Sequence, residues 1–155
     1  MNRTPDALPC LFSGNFHRPD AESCVYVARL KRHRGIHKVG ISQLPFREWR
    51  WGDEEYGKVY KQVKGTRLEC WLVEQRILLK TLHARCCPDR LKLQRWPGYT
   101  ELRNLTAAGG GQKLAHLAEG IMVNLRAKGV HAFVDEYLPS DERWADLRQQ
   151  WLEAA

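Results

Sequence analysis

Two runs rich in β-branched and aromatic residues, "CVYVARL" (24–30) and "HKVGIS" (37–42), flank the short basic stretch "KRHRG" (31–35). Side chains of that kind suit a pleated, half-buried surface and Gly35 suits a turn, so the three pieces together predict a β-hairpin. The hairpin limits what can follow it. "PFREWRW" (45–51) opens with a proline fitted to a helix start and predicts a short helix. "GKVYKQV" (57–63) reads as a third strand, and a helix comes after it. Strand, strand, helix, strand, helix is the order of an α+β chain.

That last helix, "TRLECWLVEQRIL" from Thr66 to Leu78, is announced by its spacing. Leu68, Trp71, Leu72, Leu78, Leu79 and Leu82 recur at the three-and-four interval that gathers side chains on one face. Thr66 with Glu69 three residues on is a capping box, each side chain satisfying an orphan backbone N–H of the first turn. Glu74 has no such employment. Its neighbours one turn away are Cys70, Trp71, Ile77 and Leu78, and a carboxylate among them has to be neutralised, hydrogen-bonded or bound to a cation. An arginine from elsewhere would serve. So would a metal ion.

With 155 residues, 43% of them hydrophobic, the chain has room for one ordinary domain and a real core. Pro5, Pro9, Gly14 and Pro19 mark residues 1–22 as an irregular N-terminal arm. Residues 23–105 form the expected domain, closing on "RLKLQRWPGYTELR" (90–103), which suggests one more short strand or irregular segment. After a break at "AAGGG" (107–111), residues 106–155 read as a C-terminal helical extension. Leu114, Leu117, Ala118, Ile121 and Leu125 make one apolar stripe, ending before a capping Gly129. A further helix starts at Ser140, with Trp144, Leu147 and Trp151 on one face. These stripes are read as core faces.

Charge and cysteines narrow the partners. The 25 Lys and Arg against 18 Asp and Glu leave +7, a balance that favours a polyanion and makes nucleic acid the first expectation. Five cysteines without a paired CxxC spacing indicate neither a disulfide framework nor a zinc ribbon, so a reducing cytoplasm is expected. Cys86 and Cys87, with His83 nearby, read as incidental thiols. No apolar run approaches the roughly 18 residues of a membrane span, and the N-terminus does not read as an export signal, so no membrane is expected.

The hairpin, an arginine after it and a glutamate on a later apolar helix together resemble the GIY-YIG nuclease family. Cys24, Val25 and Tyr26 take the place of the first naming tripeptide, and Lys38, Val39 and Gly40 that of the second, with eleven residues between Tyr26 and Lys38. Cys24 thus stands for the first glycine and Lys38 for the second tyrosine. Arg47 stands near the family's helix arginine, with Arg50 as its rival, and Glu74 falls on the metal-binding glutamate of the repair-type members. The resemblance covers residues 24–85. It implies a small three-stranded antiparallel sheet flanked by helices and a metal-dependent endonuclease cleaving DNA.

The residue types suit that chemistry. Phosphodiester hydrolysis needs a water-derived nucleophile and something to absorb charge on the phosphoryl oxygens. Glu74 is the expected ligand of Mg²⁺ or Mn²⁺, an ion that keeps several waters and needs few carboxylates. Arg47 forks toward phosphate oxygens. Tyr26 would orient or deprotonate water, with the Lys38 charge favouring its phenolate. His37, next to Lys38 in a strand, points to the other face. Lys31, Arg32, Arg34, Arg50, Lys61 and Lys64, with Lys58 and Arg67, would contact phosphates in any sequence. Trp49, Trp51 and Trp96, interleaved with arginines, are read first as core or ledge and second as platforms for unpaired bases. A homodimer is one way for a single site per chain to cut both strands. Two other functions remain open: a catalytically silent nucleic-acid binder on the same scaffold, and a protein-interaction module using the Trp144–Trp151 face.

Overall fold

The computed structural model describes residues 20–86, 102–104 and 109–137. These form an α+β fold: a six-stranded antiparallel sheet with three α-helices. The strands are β1 (Glu22–Leu30), β2 (Ile36–Gln43), β3 (Arg50–Trp51), β4 (Glu54–Val59), β5 (Val63–Thr66) and β6 (Leu102–Asn104). The helices are α1 (Arg67–Lys80), α2 (Gly111–Lys128) and α3 (Val130–Tyr137), and a single 3-10 turn spans Leu82–Ala84. Strand order is β3-β4-β1-β2-β6, with β5 also paired to β1.

The expected hairpin is present as β1 and β2, with Tyr26 opposite Gly40, Val27 opposite Val39 and Ala28 opposite Lys38. One of the expected three strands becomes two for a physical reason, and β3 and β6 bring the sheet to six. The stretch expected as one strand at 57–63 lies across a break: β4 pairs with Ala28–Leu30 of β1, while β5 pairs with Glu22–Val25. A register shift at Arg29 and Leu30 accompanies the first pairing. At the break the Tyr60 N–H still donates to the Val27 carbonyl, at 2.8 Å, so the two short strands together line one whole edge of β1.

The short helix expected at 45–51 is not formed. The chain runs without regular structure through 46–49 into β3, which turns at Gly52 (φ 58°) and pairs with β4. Seven residues are too few to hold a helix unaided, so tertiary contacts decide. Phe46 packs edge-on against Tyr26 with ring centroids 5.2 Å apart, and Trp51 joins Leu30, Ile36 and Leu102 in a small apolar cluster. An extended path reaches both.

Because side chains alternate along a strand, β1 and β2 serve two layers. Val25, Val27 and Val39 face the main core, built with Leu68, Trp71, Leu72, Ile77 and Leu78 of α1 and with Leu114, Ala118, Met122 and Leu125 of α2. Tyr26, Ala28, Leu30, Ile36, Lys38 and Gly40 face the other way, toward segment 44–56. The capping box holds as expected: Glu69 N–H donates to Thr66 Oγ1 at 3.1 Å and Thr66 N–H to Glu69 Oε1 at 2.9 Å. Glu69 also accepts from Arg126 Nε at 3.0 Å, which ties α1 to α2. The stripe from Leu114 to Leu125 is a core face, and the Gly129 N–H closes α2 on the Leu125 carbonyl at 2.8 Å with φ at 86°. Helix α3, which the reading of the sequence passed over, inserts Phe133 and Val134 into the same core. The helix expected from Ser140, Trp96 and Cys87 lie outside the described residues.

His37 lies on the helix-covered face, as the alternation requires. It is fully buried between Arg29, Tyr60 and the start of α2 at Gly111, and neither ring nitrogen has a hydrogen-bond partner. Burial, with the Arg29 charge, lowers its pKa from 6.5 to about 4. A histidine that charges more easily unfolded than folded costs stability as the pH falls through that interval and none above it. We therefore expect His37 to remove on the order of 3 kcal/mol of stability between pH 7 and pH 4. Urea midpoints across that range should fall less steeply for His37→Phe than for the wild type.

Candidate active site on the hairpin

Tyr26 organises the face opposite the helices. Its ring lies over Gly40, where an added Cβ would come within 2.6 Å of the Tyr26 hydroxyl, so glycine is needed there for close approach. The hydroxyl donates to Glu48 Oε2 at 2.6 Å and lies 3.0 Å from the Tyr56 hydroxyl. Phe46 and Tyr56 pack on the ring. Burial raises the Tyr26 pKa well above the usual phenol value, and Tyr56 and Glu48 push it the same way. The expectation of a Lys38-stabilised phenolate is therefore corrected: Tyr26 is a hydrogen-bond donor, because a carboxylate and not an ammonium faces its oxygen.

Lys38 shares this face, one rung diagonally from Tyr26, a separation of about 7–8 Å in an antiparallel pair. It is 6% exposed, its Nζ donating to the Val39 carbonyl at 3.3 Å and lying 6.0 Å from the Trp51 ring centre. Arg47 is exposed in the segment that covers the face, between Phe46 and Glu48. Its rival Arg50 is engaged elsewhere, 3.9 Å from Glu55 and donating to the Asp53 carbonyl at 3.4 Å.

Glu74 is not gathered with them. It sits on α1, in the layer that Val25, Val27 and Val39 face, is 1% exposed, and accepts from Gln75 Nε2 at 3.4 Å. Mg²⁺ needs an octahedron completed by waters and substrate phosphate. Glu74 supplies the right donor but no access for them, and among the described residues no three of His, Cys, Asp and Glu come together. The residues as arranged do not fit a cation that also holds phosphate at Glu74.

The expected phosphate-binding cations divide between two places. Lys31, Arg32, Arg34 and Arg50 cluster where the β1–β2 and β3–β4 turns meet, moderated by Glu55, which accepts from Lys31 Nζ at 2.7 Å. Lys61 pairs with Glu119 of α2 at 2.6 Å, and the exposed Lys64 lies opposite Cys24 on β5. Exposed pairs of this kind are worth at most about 1 kcal/mol, so phosphate can replace the carboxylates. Trp49 is 61% exposed beside Phe46, which makes it the available stacking platform, whereas Trp51 is buried. Burial raises the thiol pKa of Cys24 to about 11 and of Cys70 to about 12, which leaves both as inert thiols.

Reading the sequence missed Glu48 and Tyr56. The signal for Glu48 lay in "PFREWRW", where a helical reading hides that the carboxylate meets the hairpin. Comparisons with protein-family models, curated proteins and solved structures found no match. Among the described residues, no helix is long and apolar enough to cross a membrane.

Proposed function

We propose that this protein is an endonuclease of the GIY-YIG kind, hydrolysing phosphodiester bonds in DNA at the rim of the hairpin face. The observation that carries the reading is that Tyr26 and Lys38, the residues marking the two tripeptides, share one face of β1 and β2, with Tyr26 laid over Gly40. The basic turns beside that face and a net charge of +7 support a polyanionic substrate. In this reading Arg47, exposed at the rim, forks onto the scissile phosphate. Lys38 adds positive potential from below, and Trp49 stacks on a base the substrate leaves unpaired.

A divalent cation belongs to the proposal through the substrate, whose phosphates and waters supply most of its ligands. The assay is incubation of the purified protein with supercoiled plasmid and with a single-stranded oligonucleotide, in Mg²⁺, in Mn²⁺ and in EDTA. Cleavage lost in EDTA and slowed about a hundredfold in Arg47→Ala supports the reading. Metal-dependent cleavage lost in Glu74→Gln would place the ion at a Glu74 drawn out of its burial.

Lys38 acts at a distance from solvent, so Lys38→Met is expected to lower the rate about tenfold, below the full effect of a direct donor. Chemical denaturation of the variant, run beside the rate measurement, separates this effect from any loss of folding. The near burial of Tyr26 and Lys38 also favours a second reading, a binder without catalysis. That protein would show DNA affinity falling steeply with salt and no cutting under any metal.

A further inference from the structure

We propose that Glu48 is the proton acceptor of this site and that Tyr26 is its positioning residue. The inference rests on the endonuclease reading and goes past it, because the resemblance that suggested that reading puts no carboxylate at this place.

Three features assign the roles. The Tyr26 side chain is 1% exposed, so its oxygen is shut away from a substrate water. Glu48 is only partly buried, in the irregular segment that forms the rim of the face. Its Oε2 is held by the Tyr26 hydroxyl at 2.6 Å, with the Tyr56 hydroxyl 3.0 Å from the same phenol oxygen. A carboxylate anchored through one oxygen has the other to present. The tyrosine that fixes Glu48 is itself fixed, by Phe46 on one side and by Gly40 beneath. A general base needs this geometry: a carboxylate of set orientation, reachable by water, beside the phosphate.

The step balances without another reagent. Water gives a proton to Glu48 Oε1 as its oxygen bonds to phosphorus, and the bond from phosphorus to the leaving oxygen breaks. That oxygen takes a proton from solvent, and Glu48 later returns its own to solvent. Tyr26 keeps its proton throughout, donating it to Oε2, which agrees with the upward push on its pKa. Arg47, next in the chain to Glu48, is placed to meet the phosphoryl oxygens.

The test is single-turnover cleavage of DNA, with DNA affinity measured alongside, for the wild type, Glu48→Gln, Tyr26→Phe and the double variant. Glu48→Gln keeps the shape and should cut about a hundredfold more slowly with affinity unchanged, the loss expected of a missing general base. Tyr26→Phe should lose about tenfold, and the double variant should be no slower than Glu48→Gln alone, because Tyr26 acts only through that carboxylate. A merely structural Glu48 would instead lower affinity and folding together with rate. Glu48→Gln cutting at the wild-type rate, or a double variant as slow as the product of the single losses, would overturn the inference while leaving the endonuclease reading intact. A wild type that cuts nothing would overturn both.

Discussion

Arg47→Ala should cleave DNA about a hundredfold more slowly than the wild type, the usual cost of removing one donor aimed at charge that develops in the transition state. Arg50→Ala should stay within about threefold, as surface substitutions without such a role do. The two arginines are three residues apart, and the resemblance puts Arg47 nearer the expected position, with Arg50 as its rival. The structure adds a difference between them. Arg50 projects from β3 toward Glu55 and the Asp53 carbonyl, whereas Arg47 is exposed and directly precedes Glu48, the residue that meets Tyr26. Rates for the two variants on one substrate, with binding measured in parallel, decide the matter. Equal losses would mean that the cations act as a field and not as a directed donor.

The second large effect is on folding. Arg103, on the edge strand β6, is 1% exposed, and its guanidinium donates from Nε to Thr81 Oγ1 at 2.9 Å, from Nη2 to the Leu78 carbonyl at 3.1 Å and from Nη1 to the Leu102 carbonyl at 2.8 Å. The Leu78 carbonyl is one of those that the end of α1 leaves without an intrahelical partner, and positive charge at a helix C-terminus is favourable. Arg103 thus caps α1 and fastens it to the sheet. Arg103→Ala leaves buried acceptors unsatisfied and opens a cavity, for an expected loss of about 3 kcal/mol. Lysine cannot restore three directed bonds, so Arg103→Lys should recover only part of it. Chemical denaturation of the three proteins measures both.

Which parts of this account were legible beforehand follows from how local their causes are. The hairpin, the Thr66 and Glu69 capping box, the Leu114–Leu125 stripe and the Gly129 cap each depend on residues within a few positions of one another, and each stands where the sequence placed it. The interrupted edge strand and the extended path of 45–51 depend on what lies across the sheet. Nothing near Phe46 says that Tyr26 will be its partner. Arg103 was invisible for the same reason, since a lone arginine in "GYTELR" gives no hint that it ends another element's helix.

The candidate site divides in the same way. Alternation along β2 was enough to set Lys38 and His37 on opposite faces, as observed. It was not enough to find Glu48, which meets Tyr26 from 22 residues away. Glu74 shows the limit of a local argument: the apolar flank correctly marked a buried carboxylate, but burial alone does not tell a ligand from a structural acid. The phenolate fails because its proposed cation and its observed partner have opposite charge.

The central claim is that this hairpin face cuts DNA, and the most direct measurement is conversion of supercoiled plasmid to nicked and linear forms by the purified wild type beside Arg47→Ala, in Mg²⁺ and in EDTA. The account predicts conversion by the wild type in Mg²⁺ alone, slowed about a hundredfold by the substitution. Plasmid left intact in every metal while the protein still binds it, or cut equally fast by both proteins, would contradict it.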